Sequence, residues 1–178
     1  MNIQKFTTKS NEAINDCEKL AYEYGNQELE QEHLLVALLQ QEDGLIPKLI
    51  EKMGIDVGHF TESAKNKLAA RVKVSGGEMR WGQQLNNVLI HGEDEAKRMG
   101  DEYVSVEHLF LCLLKYPNKA MKELIKEYGL TRDRFLQALS TVRGNQRVTS
   151  DNPEATYDTL EKYGYDMVER ARQQKMDP

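Results

Sequence analysis

Two apolar octets nearly repeat each other. One reads EHLLVALL, from Glu32 to Leu39, and the other EHLFLCLL, from Glu107 to Leu114. The offset between them is 107 − 32 = 75, and it holds without a gap on both sides. It pairs Asn11 with Asn86, Glu18 with Glu93, Ala21 with Ala96 and Gly25 with Gly100. Further on it pairs Leu49 with Leu124, Ile50 with Ile125, Gly54 with Gly129 and Phe60 with Phe135. Phe6 faces Trp81, Ile14 faces Leu89 and Ile55 faces Leu130. Residues 1–70 and 76–145 therefore read as two copies of one unit.

The local pattern makes that unit helical. From about Thr8 to Tyr24, apolar residues fall at Ala13, Ile14, Cys17, Leu20, Ala21 and Tyr24, the spacing of one helix face. Gly25 suits the left-handed position that ends a helix. The counterpart runs from about Gln83 to Met99 and stops at Gly100. The octets form the second helix of each copy. Ser105 is a good N-cap for the second octet and Glu30 a poorer one for the first. Third helices are expected near Leu45–Met53 and Ala120–Tyr128, ending at Gly54 and Gly129. Fourth helices start after Asp56 and Thr131. In each, an aliphatic residue precedes the cap and a phenylalanine follows four positions on, the pattern of a hydrophobic staple. Apart from a few residues near Tyr103, nothing alternates with period two.

The expected fold is all-α: a pseudo-twofold tandem repeat of two four-helix units, with the octets, apolar around most of their circumference, buried at the centre. The sequence RGNQRVTSDNPEAT then reads as an exposed, flexible linker over 146–156. Apolar residues return over 157–178, suggesting a short helical element that belongs to a further domain.

Composition limits the chemistry. The chain has 178 residues, 39% hydrophobic and 30% charged, with net charge −5. The acidic balance, with basic residues interleaved, argues against nucleic acid as a partner. No apolar run approaches the ~20 residues of a membrane span. Two lone cysteines and no secretory leader point to a cytoplasmic location. No phosphate-binding G-x-x-x-x-G-K-[ST] occurs. His33 and His108, with Glu32 and Glu107, are the one arrangement that could mimic a metal site, but first-turn histidines bonded to local backbone are the simpler reading. Cys17 and Cys112 lie on apolar helix faces and read as core residues rather than nucleophiles. No catalytic, metal or cofactor site is expected, so binding is the function left.

A twice-given unit with E-H-L-[LF]-x-x-L-L in its second helix resembles the N-terminal domain of Clp-type AAA+ unfoldases. Thr7–Thr8–Lys9 and the run from Met99 to Leu109 are similar to that family's motifs. LEKYGYDMVERARQQKMDP is similar to the segment that leads into the first ATPase domain of the ClpB-type disaggregase branch. The resemblance implies a substrate-engaging domain, residues 1–145, of a homohexameric ATP-driven chaperone that disaggregates proteins with the DnaK system. ATP and Mg would bind only the parent's ATPase domains. The resemblance also implies polypeptide contacts at Thr7, Asp101 and Glu107, and an apolar groove drawing on Leu85, Leu89 and Ile90. The alternative is the ClpC-type branch, which binds adaptors or phosphoarginine-tagged proteins. There Thr7 and Glu32 would make one site, while Gly82 opposite Thr7 leaves the second incomplete.

Overall fold

Helix start and stop chemistry divides the chain as the repeat does. The computed structural model describes residues 5–154 and Tyr157. Helix α1 (Thr8–Tyr24) starts at an N-cap Thr7 and stops at Gly25, which adopts φ 71°. After β1 (Glu28–Leu29) come α2 (Gln31–Gln40), α3 (Leu45–Lys52) and α4 (Val57–Ala69). Next are β2 (Arg80–Trp81), α5 (Gln83–Arg98), α6 (Val106–Lys115), α7 (Lys119–Tyr128) and α8 (Arg132–Arg143). The starts of α5, α6 and α8 lie 75 residues after those of α1, α2 and α4 (83 − 8, 106 − 31, 132 − 57), and that of α7 lies 74 after α3 (119 − 45). Asp56 and Thr131 cap as expected, accepting from the backbone N–H groups of His59 and Arg134.

Two short extended pairings were not expected. β1 pairs with β2 in parallel, with Leu29 opposite Trp81, and Phe6 makes an isolated parallel bridge to Val104. Both follow one rule of the repeat, since 81 − 6 = 75 and 104 − 29 = 75. The residue that opens each copy lies against the loop that precedes the octet of the other copy. Two residues are too few to show a period in sequence. The effect is to set the start of α1 beside the start of α6.

The octet helices are the centre of the core. Leu34 to Leu38 and Leu109 to Leu113 are at most 1% exposed. Each fully buried large side chain of this kind contributes roughly 1.5–3 kcal/mol. Helix α1 packs on α2, α5 packs on α6, and α3 lies against both α6 and α8. The rings of Phe110 and Phe135 stack at 4.7 Å. Leu85 and Leu89, expected in a surface groove, are core residues instead. The inward stripe of α5 is Leu85, Val88, Leu89, Gly92 and Ala96, and Ile90 faces away from it, 55% exposed.

The stretch expected to be an exposed linker is anchored where it is described. Glu102 N–H donates to Val148 O, Thr8 N–H donates to Asp151 O, and Val148, Glu154 and Tyr157 are buried. The expected helical tail, Tyr157 apart, lies outside the described residues.

Candidate functional site

A buried polar cluster forms where α1 and α6 begin. Thr7 is the N-cap of α1, and its N–H donates to Val104 O at 3.0 Å, one of the bonds that hold the two helix starts together. The Thr7 hydroxyl accepts from Ser10 N–H (3.2 Å), and Ser10 in turn donates to Val104 O (2.9 Å). With its oxygen so used, the Thr7 hydroxyl proton points to Glu154 Oε2, 2.8 Å away. The same carboxylate oxygen accepts from Val106 N–H (3.2 Å), the first amide of α6. A carboxylate there meets both the open amide and the positive end of the helix dipole.

Asp101 and Glu107 sit behind this contact. Both carboxylates are fully buried, and Arg143 from the end of α8 bridges them. Its guanidinium donates to Asp101 Oδ1 and to Glu107 Oε2, the latter at 3.3 Å. His108 takes its backbone bond at Nδ1, from Ser105 N–H (2.9 Å), so the proton is on Nε2 and is donated to Asp101 Oδ2 (2.6 Å). Burial raises the Asp101 carboxyl. The bonds from His108 and Val148 N–H and the charge of Arg143 outweigh it, holding Asp101 below the usual carboxylate range. The ring of Tyr157 lies 5.9 Å from the Arg143 guanidinium. Among the described residues, Glu107 Oε1, Glu154 Oε1 and the Tyr157 hydroxyl are buried here without a hydrogen-bond partner. Burial first, and then the charge of Glu107, push the Glu154 carboxyl up to about 7.

The first copy repeats the arrangement with changed residues. His33 Nδ1 accepts from Glu30 N–H (2.9 Å) and its Nε2 meets Asn26 Oδ1 (2.9 Å), so Asn26 stands where Asp101 stands. Burial first, then the charge of Arg71, lower the His33 pKa to about 4, which keeps the ring neutral at physiological pH. Glu32 accepts from Arg71 Nη1 (2.7 Å) and Asn118 Nδ2 (2.6 Å). An open polar cleft of about 680 Å³ adjoins it, rimmed by Glu28, Lys67, Arg71, Arg80 and Glu123.

The structure thus brings Thr7, Asp101 and Glu107 together, buried, and sets Leu85 and Leu89 apart in the core. Ile90 lies exposed beside His91, whose ring stacks on Tyr116 at 4.5 Å. A separate apolar pocket of about 270 Å³ opens between Leu114, Ile125 and Leu130, under a rim of Arg98, Lys115 and Arg132. Arg143, Glu154 and Tyr157 were missed in the sequence. The available signal was the broken repeat: Ser105 stands where the first copy has Glu30, and Gly82 where it has Thr7.

Nothing here is arranged for covalent or metal chemistry. The Cys17 thiol is raised by burial first and by Asp16 and Glu18, and Cys112 is pushed up to about 12 by burial and the charge of Glu95. Both are inert as nucleophiles at neutral pH. Among the described residues, no group of three or more His, Cys, Asp or Glu could hold a metal ion, and no helix is long and apolar enough to cross a membrane.

The chain is 45% identical to the chaperone protein ClpB of Nitratidesulfovibrio vulgaris over 184 residues, covering all of this chain and 21% of that protein. It is 39% identical to ClpB of Clostridium tetani, with the same coverage. The chain spans about a fifth of the length of these curated relatives. Its fold matches the Hsp104 N-terminal domain from Candida albicans with TM-score 0.74 at 24% identity, covering 84% of this chain and 99% of that one. It also matches a ClpV N-domain solved in complex with a VipB peptide, with TM-score 0.63 at 19% identity, covering 85% and 91%. The family described as the Clp repeat (R) N-terminal domain matches residues 5–128, and the chain belongs to it.

Proposed function

We propose that this chain is the substrate-engaging N-terminal domain of an ATP-dependent, ClpB-type chaperone that disaggregates denatured proteins with the DnaK system. The observation that carries the reading is similarity along the whole chain to ClpB chaperones. In this reading the parent is a cytoplasmic homohexamer, its ATP and Mg bind outside this chain, and the chain itself has no ATPase activity. Its task is to contact exposed, unfolded polypeptide weakly, with avidity supplied by the hexamer.

Two surfaces suit that task. The pocket at Leu114, Ile125 and Leu130 offers apolar burial under a cationic rim, which asks little of a partner's sequence. The Thr7 cleft offers a polar contact, with Asp101 and Glu107 acting from beneath to hold its shape. A fold neighbour solved with a peptide bound supports a peptide-binding role for the fold. The adaptor- or phosphoarginine-binding alternative would use Glu32, whose two oxygens here already accept from Arg71 and Asn118.

The test is a titration of isotopically labelled chain with a permanently unfolded casein-type polypeptide, followed by amide shifts. Saturable shifts at Leu114, Ile125 and Leu130, or at Thr7 and Val106, are expected. Absence of shifts at either place, at millimolar polypeptide, overturns the reading.

A further inference from the structure

Helices α2 and α6 start at equivalent places in the two copies, and both first amides donate to a carboxylate. At α2 the donor is Gln31 N–H and the acceptor is Glu30 Oε2 (3.1 Å), from the adjacent residue. At α6 the equivalent of Glu30 is Ser105, whose side chain ends in a hydroxyl. Val106 N–H donates instead to Glu154 Oε2 (3.2 Å), from 48 residues downstream. The residue opposite Thr7 completes the comparison. It is Gly82, and the space a side chain would take there is filled by Glu30, whose Oε1 lies 1.9 Å from the position of a Cβ. One copy thus carries its carboxylate built in. The other lacks it, has a Thr hydroxyl aimed at the vacant place, and is filled by a carboxylate borrowed from the end of the domain.

A second observation concerns how well the borrowed group fits. Its Oε2 has two donors, while its buried Oε1 has no partner among the described residues. The fully buried Glu107 beside it also has an oxygen, Oε1, with no partner among them. A carboxylate satisfied on one side and pressed by a like charge on the other is held less firmly than one satisfied on both. The way in is open: a cavity of about 310 Å³ reaches Glu154 between Lys9, Gln41, Asp43 and Leu45.

We infer that the cleft made by the Thr7 hydroxyl and the Val106 amide, backed by Glu107 and Arg143, is a receptor for an acidic side chain of a bound polypeptide, with Glu154 as its resident, exchangeable ligand. The favoured partner segment carries Asp or Glu with an aromatic residue three positions on, as Glu154 and Tyr157 do. Its ring would take the place over Arg143 that Tyr157 holds at 5.9 Å. This deepens the polypeptide-binding reading, on which it rests, by naming the chemistry one of its surfaces selects.

The test uses the full chain, labelled for amide detection, as wild type and as Glu154→Ala. The probe is an eleven-residue peptide with the sequence of 150–160, SDNPEATYDTL, and a second version with Gln in place of its Glu. Glu154→Ala should bind the Glu peptide saturably, with shifts at Thr7, Val106 and Arg143. Wild type should bind it at least about tenfold more weakly, because its tethered carboxylate competes at an effective concentration of order millimolar. The Glu peptide should bind at least about tenfold more weakly at pH 8 than at pH 5.5, because burial and the charge of Glu107 favour the protonated carboxyl in this cleft, while the Gln peptide should bind alike at both. If Glu154→Ala disturbs the fold, Glu154→Ser, too short to reach the Thr7 hydroxyl and the Val106 amide, should give the same ranking. The same pH dependence for the two peptides, or no saturable shift at Thr7 and Val106, overturns the proposal. Casein-type polypeptide titrated in parallel separates the two readings. Casein shifts confined to the Leu114 pocket, with no peptide binding at Thr7, remove this proposal alone. Peptide binding at Thr7 without any casein binding removes the general reading alone.

Discussion

Gly82 lies directly beneath the carboxylate of Glu30. A Cβ built on Gly82 would stand 1.9 Å from Glu30 Oε1 and 2.6 Å from its Cδ. The glycine is not needed for its backbone, since its φ is −68°, which any residue adopts. Space alone excludes a side chain there. The two copies therefore differ by a coupled exchange, Thr7 with Ser105 in one and Gly82 with Glu30 in the other.

That coupling is measurable. Gly82→Thr in the wild-type chain should cost about 1–3 kcal/mol, because buried Glu30 must leave its bond to Gln31 N–H. Glu30→Ser alone should cost about 1 kcal/mol for the lost cap. In the Glu30→Ser background, Gly82→Thr should cost at least about 1 kcal/mol less than in wild type, since the space is then free. Urea unfolding of the four chains closes the cycle. Strict additivity would mean that the glycine has some other cause.

Arg143 is the counter-charge on which the buried cluster depends. Removing it with Arg143→Met leaves Glu107 buried without its counter-charge and Asp101 with only its bonds from His108 and Val148, which should cost about 3–5 kcal/mol. Arg143→Lys should recover only part of this, because one ammonium cannot replace a planar fork that meets two carboxylates. The sign with pH follows from Asp101. Its pKa is depressed in the folded chain, so it contributes stability above its unfolded value that is lost as pH falls through its folded value. Arg143→Met removes the share of that contribution that Arg143 supplies, leaving those of His108 and Val148, so the gap between variant and wild type should narrow on acidification. Unfolding curves at pH 7 and pH 2 would reveal it. A gap that widens on acidification would contradict this account of the pair.

The fold was largely legible because the repeat supplies each signal twice. Gly25 and Gly100, the staples at Asp56 and Thr131, and the octets all act through their neighbours in sequence, so local pattern was enough. The site was legible only in part. Thr7, Asp101 and Glu107 could be singled out by resemblance, but their burial could not, because it depends on Arg143 and Glu154 arriving from far along the chain. DNPEAT has the composition of a loop, and composition says nothing of a carboxylate that turns back to a helix start 48 residues earlier. Leu85 and Leu89 misled for the opposite reason. On a helix with apolar residues at 85, 88, 89 and 92-adjacent positions, the inward stripe and an outward groove differ only in rotation, and packing on α6 decided it.

The docked end of the domain should respond to pH near neutrality. Glu154 is raised to about 7 when buried, against an ordinary value of 4.5 when free. The docked form then holds more protons than the undocked form between those values. Docking is therefore strongest below about pH 4.5 and weakens as pH rises through 7. The groups that face Glu154 fix this sign. Thr7 from α1 and the Val106 amide of α6 favour its ionised form, while burial and the charge of Glu107 from α6 oppose it and prevail. Arg143 from α8 is committed to Asp101 and Glu107. The reporter is the Val148 amide, which donates to Asp101 Oδ1 at 3.0 Å when the segment is in place. After correction for intrinsic exchange, its hydrogen-exchange protection should fall at least about tenfold from pH 5.5 to pH 8. Glu154→Gln cannot ionise at that side chain, so it should flatten the dependence. A slope that persists in Glu154→Gln would assign the titration to another group.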